Sequence, residues 1–369
     1  MADNLLILTF TVFSAGISVL YLYRKRRSKK DSLNVESVRQ ENIVGDLGNL
    51  DHEYDRRKVR SLFQEAQLNL DHILLRESLD GVDAEEFYRT NHRGIEIFTR
   101  SWIPNKGSAK AVVFICHGYG DTCTFFLEGF SRILAKEGYA VFGMDYAGCG
   151  LSAGLHGFIP DFDKLVEDVI ENYSIIRGRP EFEKLPCFLF GQSMGGAVAL
   201  KVHLKQPAAW NGAILLAPMC KVSEEVQPPW IVIKILIGLS YIFPRAKFVP
   251  GKNLADLAFR DVKKRMQCAY NVVGYKDPPR LRTAVELLGA TKEISSRLNE
   301  VSWPMLILHG ASDVVTDPSV SKALYEQCSS NDKKICLYDQ AWHSILDGEP
   351  DDVILQVLSD IKSWLLLRT

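Results

Sequence analysis

Hydrophobic and polar positions change their spacing repeatedly along the chain from about residue 85 onward. Two short alternating patterns, EEFYRT and IEIFTRSW, predict strands on either side of a turn at 91–94. Further on, helical patterns such as FLEGFSRILAKEG separate strand patterns, of which AVVFICHG is a continuous apolar run typical of a strand buried on both faces. The other strand patterns are YAVFGMD, PCFLFG, NGAILLAP, PMLILHG and KKICLYD. The alternation predicts that residues 85–369 form an α/β domain whose mostly parallel sheet is covered by helices on both faces.

One stretch of this domain, residues 220–302, breaks the alternation. It holds helical patterns and loops without a strand pattern, which predicts a helical cap inserted between two strands of the sheet. Within it, WIVIKILIGLSYIF carries a single charge and is too short to span a bilayer comfortably, so we expect it to be buried in the cap. There Trp230, Ile235 and Leu239 are candidates to line a tunnel for an acyl chain; the alternative is that the segment only packs on the rest of the cap.

The N-terminal end of the chain has the pattern of a membrane anchor. Residues 5–23 contain no charge and would form about 29 Å of helix, close to the thickness of the hydrocarbon core of a bilayer. A basic cluster follows directly. We therefore predict that residues 1–30 are a single-pass transmembrane helix and that the rest of the chain faces the cytosol. The membrane is that of the endoplasmic reticulum or, alternatively, the plastid outer envelope; a buried core helix is the other interpretation.

Residues 31–84 are predicted to be a linker followed by an amphipathic helix. Residues 31–50 are polar, whereas apolar residues recur at helical spacing from Tyr54 to Leu75. The opposite face of this helix carries mostly basic side chains. We expect the helix either to pack on the α/β domain or to lie against lipid headgroups.

Charge and cysteine content exclude several classes of function. The formal net charge is −1, from 44 basic and 45 acidic residues, whereas nucleic-acid-binding domains usually carry a clear basic excess. None of the eight cysteines forms a Cys-x-x-Cys pair or a Cys/His cluster with zinc spacing. We therefore expect reduced thiols, no nucleic-acid partner, no metal and no cofactor. The sequence leaves the oligomeric state open.

Two pentapeptides fit the Gly-x-Ser-x-Gly pattern, which places a nucleophilic serine on a turn between a strand and a helix. Ser193 follows the apolar run PCFLF and precedes a segment rich in Ala, Leu and Val, so its hydroxyl is expected to project above the sheet. Ser152 instead lies in an irregular stretch rich in glycine. Ser193 is therefore the predicted nucleophile of a mechanism that forms an acyl-enzyme.

A serine hydroxyl needs an adjacent base, and three histidines follow Ser193 in the chain. His203 falls within the helix that follows the serine, and its spacing does not bring it back over the hydroxyl. His309 closes a predicted strand and is expected to be buried beside the turn. His343 lies in the loop DQAWHSILDG after the strand KKICLYD, which makes it the predicted base.

The acid and the oxyanion donors of such a site also have candidates at strand ends. Asp313 lies just past a strand in HGASD, whereas Asp317 fits the N-terminal cap of a helix that begins near Pro318. We therefore expect Asp313 to orient the histidine. Backbone N–H groups must stabilise the oxyanion. The candidates are Met194, directly after the serine, and Tyr119, in the glycine-rich turn HGYG.

The segments HGYGDT, MDYAGCGLSAG, GQSMGG, HGASD and AWHSIL together resemble the monoacylglycerol lipase family, particularly its plant branch with lysophospholipases and caffeoyl shikimate esterase. The resemblance covers about residues 85–369. It implies the α/β-hydrolase fold, a mobile cap at 220–302, and the same triad and oxyanion donors as the residue analysis. It also implies an ester hydrolase acting on a single acyl chain, with a monoacylglycerol as the first candidate.

Several alternatives remain open at this point. The substrate is a lysophospholipid or a phenolic ester such as caffeoyl shikimate if it is not a monoacylglycerol. A His-x4-Asp pattern, His156 to Asp161, has been connected with acyl transfer in this branch, although we expect it to be a structural loop. A non-catalytic membrane-anchored scaffold is a third possibility. Well-known members of the family lack a spanning segment, so the resemblance leaves the compartment open.

Overall fold

The computed structural model describes residues 48–220, 230–247 and 254–369. The anchor predicted at residues 1–30 lies outside the described residues, as do nearly all of the predicted linker and parts of the predicted cap. Among the helices that are described, none is long and apolar enough to cross a membrane.

The centre of the described fold is one sheet of eight strands. The strands are β1 Val82–Thr90, β2 Glu96–Pro104, β3 Val112–Cys116, β4 Ala140–Met144, β5 Cys187–Gln192, β6 Gly212–Leu216, β7 Met305–Gly310 and β8 Lys333–Tyr338. Their order across the sheet is β1-β2-β4-β3-β5-β6-β7-β8. The pairs β1–β2 and β2–β4 are antiparallel, and all the others are parallel. The prediction of a mostly parallel sheet is therefore confirmed.

Helices connect these strands and begin where the sequence offers caps. The described α-helices are α1 Glu53–Leu68, α2 Phe126–Lys136, α3 Phe162–Arg177, α4 Met194–Lys205, α5 Trp230–Ile242, α6 Leu254–Ala258, α7 Val262–Gln267, α8 Leu281–Ser296, α9 Pro318–Gln327 and α10 Asp351–Leu366. The Asp161 carboxylate accepts a hydrogen bond from the backbone of α3. Asp317 caps α9 in the same way, with Pro318 in its first turn.

The core lies on both faces of the sheet, as the strand β3 illustrates. Val112, Phe114 and Cys116 are fully buried among side chains of α3, α4 and α9. Val113 and Ile115 are equally buried on the other face, among side chains of α2 and α10. Alternate side chains of a strand point to opposite faces, so a strand covered on both sides must be apolar throughout. This is the physical reason for the continuous apolar runs in the sequence.

Helix α1 packs on the domain through a side chain that its sequence pattern placed on the solvent side. Arg56 is fully buried and donates hydrogen bonds to the carbonyl groups of Gly150, Ser152 and Gly154. Leu62, on the predicted apolar face, is instead 58% exposed. The helix packs on the domain, as one of its two interpretations expected, but it does so through Arg56 and Val59 and not through the whole predicted apolar face.

The described elements between β6 and β7 are all helical, as expected for a cap, and α5 packs against α8. The burial expected for α5 applies to the side that packs against α8, and its outer side is exposed. Trp230 is 65% exposed and Ile235 is 47% exposed, whereas Leu239 is half-buried. The cap helices thus cover one side of α5 and leave a row of apolar side chains facing outward.

Candidate active site

Three side chains meet at the edge of the sheet where the parallel strands end. Ser193 comes directly after β5, Asp313 follows β7 and His343 follows β8. Because β5, β6, β7 and β8 are parallel neighbours, their carboxyl ends lie along one edge, and loops that leave this edge converge. Residues separated by 150 positions in the chain are thereby brought into hydrogen-bonding distance.

The turn between β5 and α4 holds Ser193 in a strained backbone conformation. Its φ of 54° and ψ of −118° lie outside the regions that residues with a side chain ordinarily adopt. Such a conformation costs on the order of 1–3 kcal/mol and is commonly found at active sites. A Cβ on Gly195 would lie 1.9 Å from the carbonyl oxygen of Cys116, so only glycine allows α4 to approach β3 this closely.

A continuous hydrogen-bonded chain joins the three side chains. The Nε2 atom of His343 lies 2.9 Å from the Ser193 Oγ atom, and its Nδ1 atom lies 2.7 Å from Asp313 Oδ2. A carboxylate can only accept, so Nδ1 carries the proton and the Nε2 lone pair is free to accept from the serine hydroxyl. This is the tautomer that general-base catalysis requires.

Asp313 is buried and has several hydrogen-bond donors. Its Oδ1 atom accepts from the backbone of Val315 and Thr316, and its Oδ2 atom accepts from the Thr316 hydroxyl at 2.8 Å as well as from His343. Burial alone raises the pKa of this carboxyl. The electrostatic interaction with His343 and the hydrogen bonds from His309 and His343 outweigh that effect and hold the pKa well below its ordinary value. The acid is therefore ionised at neutral pH.

The two predicted oxyanion donors lie on either side of Ser193. Met194 is the first residue of α4, where backbone N–H groups have no partner within the helix and the helix dipole is positive. The turn that follows β3 approaches from the other side: a Cβ on Gly118 would lie 3.6 Å from the Ser193 Cβ atom. Within the described parts of the chain, the Tyr119 N–H has no hydrogen-bond acceptor.

The cap contacts the turn after β3 directly, and no pattern in the sequence predicted this contact. The Tyr275 N–H donates to the Gly120 carbonyl group at 2.8 Å, and the Asn271 amide donates to the Asp121 carboxylate at 2.9 Å. The Tyr119 hydroxyl donates to the carbonyl group of Gly157. In the sequence, only the acidic residue Asp121 after HGYG could have indicated this contact, because its partner Asn271 lies 150 residues away.

The rival serine and histidine residues have structural roles. The fully buried Ser152 accepts from the Phe98 N–H and donates to the Asp145 carbonyl group, so its hydroxyl stabilises a loop. His203 accepts a hydrogen bond from the backbone N–H of Ser302. His309 is buried beside the acid, as expected, and its contacts are described below.

The His-x4-Asp pattern is also structural. The His156 ring hydrogen-bonds the Val273 carbonyl group in the cap. Asp161 caps α3, as described above. The two side chains therefore serve different elements, as expected for a loop that supports the fold.

One cluster among the described residues has the donor types of a metal site. Ligand atoms of His92, Asp168 and Glu171 lie within 4.8 Å of one another. Asp168, however, forms an ion pair with the Arg93 guanidinium and accepts from the Asn91 amide. A cation in this position would compete with a fixed positive charge, so the residues do not fit a metal ion.

Comparison with known proteins agrees with this geometry. The family described as "Serine aminopeptidase, S33" (Hydrolase_4) matches residues 107–351. Caffeoylshikimate esterase from Arabidopsis thaliana is 32% identical over 73% of this chain and 82% of its own length. Monoglyceride lipase from Homo sapiens is 28% identical over 76% of this chain and 89% of its own length.

Solved structures show the same fold. A soluble variant of monoglyceride lipase from Saccharomyces cerevisiae, in complex with a substrate analog, aligns with a TM-score of 0.67 at 22% identity. The alignment covers 80% of this chain and 98% of that chain. The chain therefore belongs to the Hydrolase_4 family, in the monoacylglycerol lipase group of α/β-hydrolases, and is a carboxylic ester hydrolase.

Proposed function

We propose that Ser193, His343 and Asp313 are the catalytic triad and that the enzyme hydrolyses esters of single acyl chains, with monoacylglycerol as the main substrate. The observation that carries the proposal is the hydrogen-bonded chain from the Ser193 hydroxyl through the His343 ring to Asp313. Among the described residues, no other histidine contacts that hydroxyl.

The geometry supports a two-step mechanism. His343 takes the proton of Ser193 as its Oγ atom attacks the ester carbonyl carbon, and the N–H groups of Met194 and Tyr119 donate to the oxyanion. The tetrahedral intermediate then expels the alcohol, which receives the proton from His343 and leaves the acyl group on the serine. Water, activated by the same histidine, releases the fatty acid. Asp313 stays ionised and stabilises the imidazolium in both steps.

The choice of a lipid substrate rests on relatives and on the cap. Several relatives are named monoglyceride lipases. We propose that the exposed Trp230 and Ile235 contact the membrane or the aggregate that holds the substrate and that the half-buried Leu239 lines the path of the acyl chain. The identity to caffeoylshikimate esterase favours a phenolic ester as the second candidate, and a lysophospholipid is the third.

We also propose a membrane location. The uncharged segment 5–23 with its basic flank supports an anchor at residues 1–30 that leaves the hydrolase domain in the cytosol, on the endoplasmic reticulum or the plastid outer envelope. The outward-facing apolar side chains of α5 support the proposal that the enzyme contacts a lipid surface. Protease treatment of sealed microsomes should digest the hydrolase domain; protection of that domain would contradict the orientation.

A substrate panel tests the proposed activity. The purified full chain is assayed on monoacylglycerol, lysophosphatidylcholine and caffeoyl shikimate, with Ser193→Ala as the inactive control. We expect the highest kcat/KM on monoacylglycerol. A higher kcat/KM on caffeoyl shikimate would identify a phenolic ester as the main substrate without affecting the assignment of the triad. Hydrolysis that persists in Ser193→Ala would contradict the assignment of the triad.

A further inference from the structure

A second histidine contacts the carboxylate that orients the base. His309, near the end of β7, is fully buried, and its Nε2 atom lies 2.9 Å from Asp313 Oδ2, the oxygen that also binds His343. The same Nε2 atom lies 3.1 Å from the Thr316 carbonyl oxygen. On the other side of the ring, Nδ1 lies 2.7 Å from the Ser321 hydroxyl of α9. The ring therefore connects the acid to the loop that carries Thr316 and to α9.

These contacts define which nitrogen of His309 must carry a proton. Carboxylate and carbonyl oxygens only accept, so Nε2 must donate. A serine hydroxyl can donate to Nδ1, so the contacts fit a neutral ring with its proton on Nε2. A neutral donor fixes the Asp313 carboxylate without cancelling its charge. That charge is needed when His343 becomes an imidazolium.

We propose that His309 is a positioning residue for catalysis, which holds Asp313 Oδ2 in line with His343 through a hydrogen bond from Nε2. The inference rests on the proposed role of Asp313. A histidine that only filled the core would present carbon atoms to the acid, whereas this ring uses both nitrogens, and one of them binds the oxygen that orients the base. The carboxylate has other donors, so loss of this one leaves the acid ionised but removes one of the three donors that hold Oδ2 in place.

The test compares substitutions that keep or remove the donor. His309→Phe fills the space without a donor, whereas the amide nitrogen of His309→Gln can occupy the place of Nε2. With a short soluble ester, and with rates expressed per site titrated by a fluorophosphonate, we expect His309→Phe to lower kcat by about 10- to 100-fold, as for loss of a hydrogen bond to a charged group. KM should change by less than about twofold, and His309→Gln should recover most of kcat.

Two further variants keep the outcome decisive. His203→Phe removes a buried histidine that does not contact Asp313, and its kcat should be that of the wild type. If His309→Phe does not fold, His309→Asn serves instead, because its shorter amide cannot reach Asp313; it should be at least about 10-fold slower than His309→Gln.

The inference and the proposed function fail in different ways. Equal kcat values for His309→Phe and the wild type, or for His309→Asn and His309→Gln, would overturn the positioning role. Asp313→Asn, measured in parallel, should lose nearly all activity. If Asp313→Asn were as active as the wild type, the assignment of the acid itself would be wrong.

Discussion

At the scale of single residues, the site depends on which of two neighbouring aspartates binds the His343 ring. Asp313 binds His343 and the backbone of its own loop, whereas Asp317 binds the first turn of α9. The two are only four positions apart, so the sequence could separate them only by their distance from the strand end and by the proline that follows one of them.

Replacing each aspartate by asparagine makes a matched pair of variants. Asp313→Asn should lower kcat by about 10³- to 10⁴-fold, because an amide favours the wrong imidazole tautomer while the shape is kept. Asp317→Asn should leave kcat and stability nearly unchanged, since asparagine caps helices as well as aspartate does. The measurement is kcat on a short ester together with the melting temperature. A larger loss of activity in Asp317→Asn would show that the acid is misassigned.

At the scale of elements, α1 is part of the folded domain although it precedes the region that the family match covers. The buried Arg56 binds three carbonyl groups of the loop that follows β4, and the Gln67 amide of α1 binds the Tyr270 carbonyl group in the cap. Helix α1 thus connects the loop after β4 to the cap.

Removal of the buried guanidinium should destabilise the whole domain. Arg56→Met leaves several buried carbonyl groups without donors, and we expect the free energy of unfolding to fall by about 2–5 kcal/mol. Lys58→Met, an exposed position on the same helix, should change it by less than about 0.5 kcal/mol. Urea denaturation of both variants measures the difference. Equal stability of the two variants would contradict the role assigned to Arg56.

Helix α5 is the element whose placement has a direct consequence for the substrate. Double substitution of Ile235 and Leu239 by Asp should depress hydrolysis of long-chain monoacylglycerol by at least about 10-fold, because each buried methylene contributes about 0.8 kcal/mol to binding. Hydrolysis of p-nitrophenyl acetate should change little. Ile175→Asp, at a comparably exposed position on α3, serves as the control. Equal losses on both substrates would mean that α5 supports the fold and does not contact lipid.

At the scale of the whole molecule, the pattern of apolar positions was enough to predict the sheet and its covering helices. The buried strands β3, β4 and β6 are uninterrupted apolar runs, and each residue of the proposed triad follows the end of a strand, so local sequence carries that information. The contacts of Arg56 and the bond between Asn271 and Asp121 join residues about 90 to 150 positions apart. No local pattern specifies such pairs. The sequence therefore did not predict which side chains of α1 pack on the domain, or that the cap contacts the turn after β3.

Buried histidines make the stability of the molecule depend on pH. Burial lowers the pKa of His72, of His156 and of His203 to about 4 in each case. The unfolded chain binds a proton on each of them near pH 6.5, whereas the folded protein does so only near pH 4. The contribution of these histidines to the free energy of unfolding therefore falls as the pH decreases from 6.5 to 4, by up to about 1.4 kcal/mol per pH unit for each histidine.

Urea denaturation between pH 7 and pH 5 checks this dependence. His203→Gln removes one of the three groups and should make the decline less steep than in the wild type by up to about 1.4 kcal/mol per pH unit. An equally steep pH dependence in His203→Gln and the wild type would contradict the buried neutral state of the His203 ring.

The most direct test of the proposed mechanism is to locate the nucleophile chemically. The full chain is treated with a fluorophosphonate, and the modified peptide is identified by mass spectrometry in the wild type, in Ser193→Ala and in Ser152→Ala. We predict a single adduct on Ser193, no adduct and no ester hydrolysis in Ser193→Ala at an unchanged melting temperature, and full labelling of Ser193 in Ser152→Ala. An adduct on another residue, or full activity in Ser193→Ala, would contradict the account.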